Sequence, residues 1–168
     1  MPKIPVTAVF DIGKTNKKFF LFDENLKEVH NTYTRLDAIP DEDGFPSEPV
    51  LPLREWMLAT FHEALNSTEF EITKLNFSGH GASFVQTDEF GEPVTPLYDY
   101  LKPYPEDLLD RFYNENGGKA AFCQQTSSPP LAMLNSGLQL YFLKYSKPDF
   151  FKKVKYCLHL PQYLSFIF

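Results

Sequence analysis

The sequence predicts an α/β protein whose mixed sheet opens with three antiparallel strands and is flanked by helices. Three observations support this prediction. Residues 6–12 are almost all apolar, as in a central strand that is buried on both faces. Only short turns, at 13–16 and 23–26, separate this stretch from the next two strand-like stretches, which is typical of consecutive antiparallel strands. Helix-like and strand-like stretches then alternate toward the C-terminus, as they do in α/β proteins.

The first half of the chain contains the predicted meander, a loop and one helix. Strands are predicted at 6–12, 17–23 and 28–36, where β-branched and aromatic residues are frequent. Residues 37–52 contain four prolines and are predicted as loop, because proline disfavours the interior of both helices and sheets. Apolar residues in 53–66 recur every three or four positions, which predicts a helix.

The second half alternates strands and helices, with clear turn residues between them. Pro105 suits the first turn of a helix, and Gly117 and Gly118 suit its C-terminal end. The elements predicted here are, in order, a strand at 74–79, hairpin strands at 82–88 and 92–100, helices at 105–118 and 136–146, a strand at 153–160 and a helix that begins at Pro161.

The composition fits a protein that handles a small molecule. The 168 residues are 43% hydrophobic, enough for the core of one domain. The net charge of −6 argues against a nucleic-acid partner, which normally requires a broad basic face. Cys123 and Cys157 are far apart and indicate reduced thiols in a cytoplasmic protein. The first ten residues resemble neither a signal peptide nor a membrane span, so no membrane partner is expected.

The stretch FDIGKTNKK, residues 10–18, is the first candidate site. Asp11 ends a predicted buried strand, and ligands of α/β proteins commonly bind beyond such strand ends. Gly13 lets backbone amides approach an anion, and a carboxylate beside phosphate oxygens is a common Mg²⁺ site. The predicted metal ligand is Asp11, and the predicted phosphate-binding residues are Gly13, Lys14, Thr15, Asn16 and Lys18. On its residues alone, an ordinary hairpin turn explains the stretch slightly better.

The stretch NFSGHGASF, residues 76–84, is the second candidate site. Gly79 and Gly81 flank His80 directly after a predicted strand. These glycines would let a ligand approach the backbone, and the imidazole can donate a hydrogen bond to a sugar hydroxyl or accept one from it. A tight turn between two strands, with an exposed histidine, explains the same residues equally well.

The stretch PLYDYLKPYPED, residues 96–107, is the third candidate site. Asp99 could accept hydrogen bonds from sugar hydroxyls, while an aromatic ring such as that of Tyr100 covers the apolar face of the sugar. The more frequent explanation of such a pattern is the edge of a strand with a solvated carboxylate and structural tyrosines.

Together, the three stretches resemble the N-terminal domain of the FGGY family of carbohydrate kinases. The first phosphate motif of that family, Asp-x-Gly-Thr-Ser/Thr-x-x-Lys/Arg, is similar to residues 11–18. Residues 78–82 resemble the family's substrate loop. This histidine-containing loop is most similar to the loop of the kinases for ketoses such as xylulose, rhamnulose and fuculose. Two departures are Lys14, in place of the usual threonine, and Tyr98–Tyr100, in place of a Trp-Asn-Asp-like segment.

The resemblance implies a ribonuclease H-like fold of the actin and hexokinase type, and a reaction in which ATP phosphorylates a sugar hydroxyl. It implies that Asp11 holds Mg²⁺, that the Gly13–Asn16 turn and Lys18 face the phosphates of ATP, and that five residues bind the sugar substrate, namely Gly79, His80, Gly81, Asp99 and Tyr100. It also implies that the general base lies beyond residue 168.

Family members are far longer than 168 residues, and the resemblance therefore implies that residues 1–168 are part of an N-terminal domain without the second domain. The chain alone is expected to be a folded but inactive half of the enzyme. Two alternatives remain open. One is a ribonuclease H-like, metal-dependent phosphohydrolase that uses Asp11. The other is a non-catalytic binding or assembly module, in which two copies of the chain form a homodimer through the apolar C-terminal stretch YLSFIF.

Overall fold

The chain forms two compact units, each assembled from segments that are distant in sequence. The structure, a computed structural model, describes residues 2–168. The sheet unit comprises the described residues up to Ile39 together with Glu48–Gly81 and Leu158–Phe168. The helical unit comprises Pro40–Ser47 and Ala82–Cys157.

Strands and helices alternate along most of the chain. In chain order they are β1 (Ile4–Ile12), β2 (Lys17–Phe22), β3 (Glu28–Thr34), β4 (Ile39–Pro40), β5 (Pro46–Glu48), α1 (Val50–Leu65), β6 (Phe70–Gly79), β7 (Phe84–Thr87), β8 (Leu97–Tyr98), α2 (Glu106–Glu115), α3 (Lys119–Thr126), a 3₁₀ helix (Ala132–Leu134), α4 (Ser136–Ser146), α5 (Pro148–Phe151), β9 (Tyr156–His159) and α6 (Leu160–Phe166).

A four-stranded mixed sheet forms the centre of the sheet unit. Its strand order is β3-β2-β1-β6. The first three strands are antiparallel neighbours, whereas β6 pairs with β1 in parallel. The predicted meander and the predicted mixed sheet with flanking helices are therefore confirmed. In β1, fully buried and half-buried residues alternate, so that one face of the strand is more deeply buried than the other.

Phe10 lies at the centre of the core of the sheet unit and is fully buried. Its ring centroid lies 4.7 Å from that of Phe19 on β2 and 5.8 Å from that of Trp56 on α1. It also lies 6.1 Å from the ring of Phe77 on β6 and 5.8 Å from that of Phe168. Helix α1 and the C-terminal residue thus pack on the same face of the sheet.

The helical unit has a hydrophobic core of its own, and the chain forms two further small sheets. Tyr98, Leu108, Met133, Phe142 and Leu143 form a buried cluster. Strands β4, β5 and β8 form one small sheet, and β7 pairs with β9 in the other. No helix within residues 2–168 combines the length and the apolar character that crossing a membrane requires.

Several elements differ from the sequence prediction, because prolines and tertiary pairing change their boundaries. The predicted loop at 37–52 contains β4 and β5, and α1 already begins at Val50. Pro49 precedes the first residue of α1, and Pro52 falls in its first turn, where a missing N–H leaves no intrahelical hydrogen bond unmade. Of the predicted hairpin at 82–100, the turn at Asp88–Glu92 forms, but β8 pairs with β5.

The predicted helices and strands after residue 100 are present with shifted ends, and three short helices were not predicted. Helix α4 has the predicted bounds, whereas α2 ends at Glu115, before Gly117 and Gly118 adopt positive φ. Helix α3 follows these glycines, and its apolar residues form no single buried face, so the sequence pattern did not predict it. The predicted strand at 153–160 shortens to β9, because Leu160 already begins α6.

Candidate functional site

The turn between β1 and β2 is tight, and Gly13 lies at a crowded position in it. The N–H of Gly13 donates to the carbonyl of Asn16 over 3.0 Å. A Cβ at Gly13 would lie 3.2 Å from that carbonyl oxygen, closer than most side chains tolerate. Arg35 holds the same turn from outside, since its Nε donates to Oδ1 of Asn16 over 2.9 Å. Thr15, at the tip, is exposed.

Asp11 and Lys18 face each other across the hairpin. They are register partners of β1 and β2, and Nζ of Lys18 lies 3.5 Å from Oδ2 of Asp11. The Asp11 side chain is 40% exposed, so a ligand can reach its carboxylate. Within residues 2–168, no three His, Cys, Asp or Glu side chains form a metal-binding group. A single exposed carboxylate would need phosphate and water oxygens as the other ligands of Mg²⁺, an arrangement that is common for this ion, and the assignment of Asp11 stays a prediction.

The loop around His80 lies beside this hairpin turn. Because β6 runs parallel to β1, Asp11 pairs with Ser78 and Ile12 pairs with Gly79. The backbone N–H of His80 then donates to the carbonyl of Ile12 over 3.1 Å. The structure therefore brings two of the three predicted stretches to the same end of the same sheet.

The His80 side chain is largely buried and lies near Glu48. Its Nε2 is 3.8 Å from Oε1 of Glu48, and 14% of the side chain is exposed. Burial lowers the pKa of the imidazole below its ordinary value. Lys17 and Lys14 lower this pKa further, whereas Glu48 and a backbone hydrogen bond at Gly81 oppose the shift. A neutral ring offers one donor and one acceptor, which suits a hydroxyl group.

The two glycines beside His80 have different surroundings. A Cβ at Gly79 would lie 3.3 Å from Cγ of Pro161 and 3.4 Å from Cδ1 of Leu164, both on α6. A Cβ at Gly81 would meet nothing within 4 Å. Close packing of a helix therefore explains Gly79, whereas Gly81 is exposed and leaves open space beside the backbone.

Replacing Gly79 by alanine is expected to lower the free energy of unfolding by about 1–3 kcal/mol, because the added methyl group overpacks the contact with α6. Gly81→Ala is the matched control, and we expect it to change stability by less than about 0.5 kcal/mol. Urea unfolding followed by circular dichroism measures both values. Equal stability of the two variants would contradict this explanation of Gly79.

Two residues beside the turn were missed by the sequence analysis, Lys17 and Glu48. Lys17 is fully buried, and its Nζ donates to Oε1 of Glu48 over 2.8 Å. Lys17 alternates with the core residues Phe19 and Leu21 on the inner face of β2, a pattern that could have indicated a buried ammonium group. Glu48 lies in a proline-rich segment and carries no such signal.

Asp99 and Tyr100 belong to the helical unit. Oδ1 of Asp99 accepts the N–H of Leu101 over 2.8 Å, and its backbone carbonyl accepts the N–H of Lys102 over 2.9 Å. Asp99 therefore closes a turn after β8, and its carboxylate remains half-exposed. The proposed contact of these two residues with a sugar stays a prediction.

The helical unit also contains a cavity of about 720 Å³. Its walls are mainly aromatic and aliphatic, and they include Phe112, Phe122, Tyr141 and Phe151. None of the residues predicted to bind phosphate, metal or sugar lines it. The cavity therefore shares no residue with the candidate site.

Comparisons with known proteins point to sugar kinases. No protein-family sequence profile matches the chain. A rhamnulokinase from Halalkalibacterium halodurans is 26% identical over 97 residues, which are 58% of this chain and 20% of the relative.

Solved structures of sugar kinases share the fold of almost the whole chain. A carbohydrate kinase from Novosphingobium aromaticivorans matches 99% of this chain at 23% identity, with a TM-score of 0.76. A gluconate kinase from Lactobacillus acidophilus matches 98% at 17% identity, with a TM-score of 0.81. A xylulose kinase from Rhodospirillum rubrum matches 95% at 14% identity, with a TM-score of 0.79.

The chain spans 33–34% of the length of these three structures. At such low identity the structural matches establish the fold, which is the actin and hexokinase type of α/β fold found in sugar kinases. The rhamnulokinase match is a similarity in sequence over part of the chain. The chain is therefore similar to sugar kinases, and it has the fold of about a third of the matched kinase structures.

Proposed function

We propose that this chain provides the phosphate turn and part of the sugar site of an ATP-dependent, cytoplasmic kinase for a ketose such as rhamnulose, fuculose or xylulose. One observation carries the proposal. The Asp11 turn and the His80 loop are neighbours at the same end of the parallel pair β1 and β6. A phosphate donor at the turn and a hydroxyl acceptor at the loop would therefore be close to each other, as phosphoryl transfer requires.

The turn would bind the phosphates of the nucleotide. Lys18 lies beside the exposed carboxylate of Asp11 and adds a positive charge to the outer face of the hairpin. Asp11 would hold Mg²⁺ through water, and the residues of the turn, Gly13–Asn16, would face the phosphate oxygens. When bound, Mg²⁺ would supply neutralisation of the phosphate charge, the main requirement of phosphoryl transfer.

The loop would orient the sugar. Because burial favours the neutral ring of His80, the ring would offer a sugar hydroxyl a hydrogen bond rather than a charge. Gly81 leaves room for a ligand beside the backbone. Asp99 and Tyr100 remain proposed sugar-binding residues. A ketose is favoured because the matched relative is a rhamnulokinase and three of the matched structures are xylulose kinases.

The activity is proposed for a protein that includes this chain, which spans about a third of the matched kinases. For the 168-residue chain alone we expect binding of sugar and nucleotide without sugar-dependent turnover of ATP. Sustained, sugar-dependent formation of ADP by the chain alone would contradict this expectation.

Replacing Asp11 by asparagine is expected to weaken binding of Mg·ADP at least tenfold, because it removes the charge that holds the metal. Asp37→Asn, an exposed carboxylate of the sheet unit, is the matched control and should bind like the wild-type chain. Calorimetric titration measures the affinities. In EDTA, wild-type and Asp11→Asn chains should bind ADP alike. Equal affinity of wild-type and Asp11→Asn chains for Mg·ADP would overturn the assignment of Asp11.

A further inference from the structure

The ammonium group of Lys17 is fully buried and fully hydrogen-bonded. Its Nζ donates to the carbonyl of Gly13 over 2.9 Å and to the carbonyl of Lys14 over 2.9 Å. The third donor reaches Oε1 of Glu48 over 2.8 Å. An ammonium group has three donors, and each of them therefore has an acceptor. A buried charge with this many contacts fixes the atoms around it.

Lys17 fixes the direction in which the C=O and N–H groups of the phosphate turn point. In a trans peptide the C=O and N–H of the same peptide plane point in opposite directions. Because the carbonyls of Gly13 and Lys14 point toward Nζ of Lys17, the N–H groups of Lys14 and Thr15 point away from it. Successive N–H groups on one side of a turn form an anion-binding concavity.

Glu48 lies between the Lys17 ammonium group beside this turn and the imidazole of the His80 loop. Its Oε1 contacts Nζ of Lys17 at 2.8 Å and lies 3.8 Å from Nε2 of His80. Its Oε2 is buried and has no hydrogen-bond partner among residues 2–168. The Lys17 ammonium therefore provides the main compensation for a carboxylate that is 87% buried, with 13% of the side chain exposed.

We propose that Lys17 and Glu48 are positioning residues that link the phosphate turn to His80. Through this link, binding of a phosphate ligand on the turn changes the site at His80 where a polyhydroxyl ligand binds, and binding of the polyhydroxyl ligand changes the turn. The proposal rests on the proposed function for the identity of the two ligands. The link itself is a property of the chain without any ligand. It consists of one buried ion pair whose ammonium group is hydrogen-bonded to two turn carbonyls and whose carboxylate lies 3.8 Å from Nε2 of the imidazole.

The first test uses Glu48→Gln, which keeps the size of the side chain and removes its charge, in the chain without ligand. Nuclear magnetic resonance follows the His80 ring through a pH titration and the amides of Lys14 and Thr15. The charged groups around His80 are Glu48, Lys17 and Lys14. Because Glu48 opposes the lowering of the His80 pKa, the variant should lower that pKa further and shift both turn amides.

Glu55→Gln, an exposed carboxylate on α1, is the matched control and should leave the His80 pKa and the turn amides unchanged. If Glu48→Gln behaves like this control, the proposal is overturned. If the variant does not fold, the wild-type chain gives the answer. Saturation with Mg·ADP should then shift the His80 ring resonances, and unchanged ring resonances at saturation would overturn the link.

The second test measures affinity, and it separates failure of the link from failure of the proposed function. Glu48→Gln should weaken Mg·ADP binding about tenfold, within the range of ordinary coupling between sites. If the wild-type chain binds no Mg·ADP, the proposed function fails, while the ligand-free titration of His80 still decides on the link. If the wild-type chain binds and Glu48→Gln binds equally well, the link fails and the proposed function stands.

Discussion

Replacement of Lys17 by methionine is expected to lower the free energy of unfolding by about 3–5 kcal/mol, because it leaves the buried carboxylate of Glu48 without its cation. The change also removes the donor for the carbonyls of Gly13 and Lys14. Chemical denaturation followed by circular dichroism measures the loss.

Lys18→Met is the matched control for this prediction. Lys18 is the next residue of the same strand, and its ion pair with Asp11 is substantially exposed. Such pairs contribute about 0–1 kcal/mol, so Lys18→Met should change stability little. The double variant Lys17→Met with Glu48→Gln should recover part of the loss, because no isolated charge remains buried. Equal losses for Lys17→Met and Lys18→Met would refute the role of the buried ion pair.

Replacement of Phe10 by alanine is expected to lower the free energy of unfolding by about 3–5 kcal/mol, measured by the same chemical denaturation. Phe10 is fully buried, and its ring contacts aromatic residues of two strands, of α1 and of the C-terminus. The cavity left behind cannot be filled by one neighbour alone, since these contacts come from separate elements.

Phe90→Ala provides the comparison for Phe10→Ala. Phe90 is 81% exposed in the turn that follows β7, so its removal should change stability by less than about 0.5 kcal/mol. A loss for Phe10→Ala as small as that for Phe90→Ala would contradict the assignment of Phe10 to the centre of the core.

The sequence was most informative where local chemistry decides the structure. The turns after β1 and β2 are short, and their glycine and asparagine residues indicated the antiparallel meander. Helix α4 has the predicted bounds, and Pro148 follows soon after its end. Helix α3 has no buried face, so local periodicity could not predict it. Strand β8 pairs with β5, which lies about fifty residues earlier in the chain, and local periodicity does not show such a pairing.

The candidate site divides in the same way. The motifs at Asp11 and His80 were visible in the sequence, because glycine beside a functional residue is a local signal. Their adjacency comes from the parallel pairing of β1 with β6, whose strands are separated by more than fifty residues. The contact between Lys17 and Glu48 spans 31 residues, and no local pattern marks Glu48 as its partner.

The Asp11 turn and the His80 loop are expected to form one binding site. The most direct test is the change in backbone amide resonances of the 168-residue chain on titration with Mg·ADP and, separately, with a panel of ketoses. Mg·ADP should shift the amides of Gly13 to Lys18 most strongly, and the ketose that binds should shift those of Gly79 to Gly81. Shifts confined to residues outside the sheet unit, or no shift at millimolar ligand, would contradict this expectation.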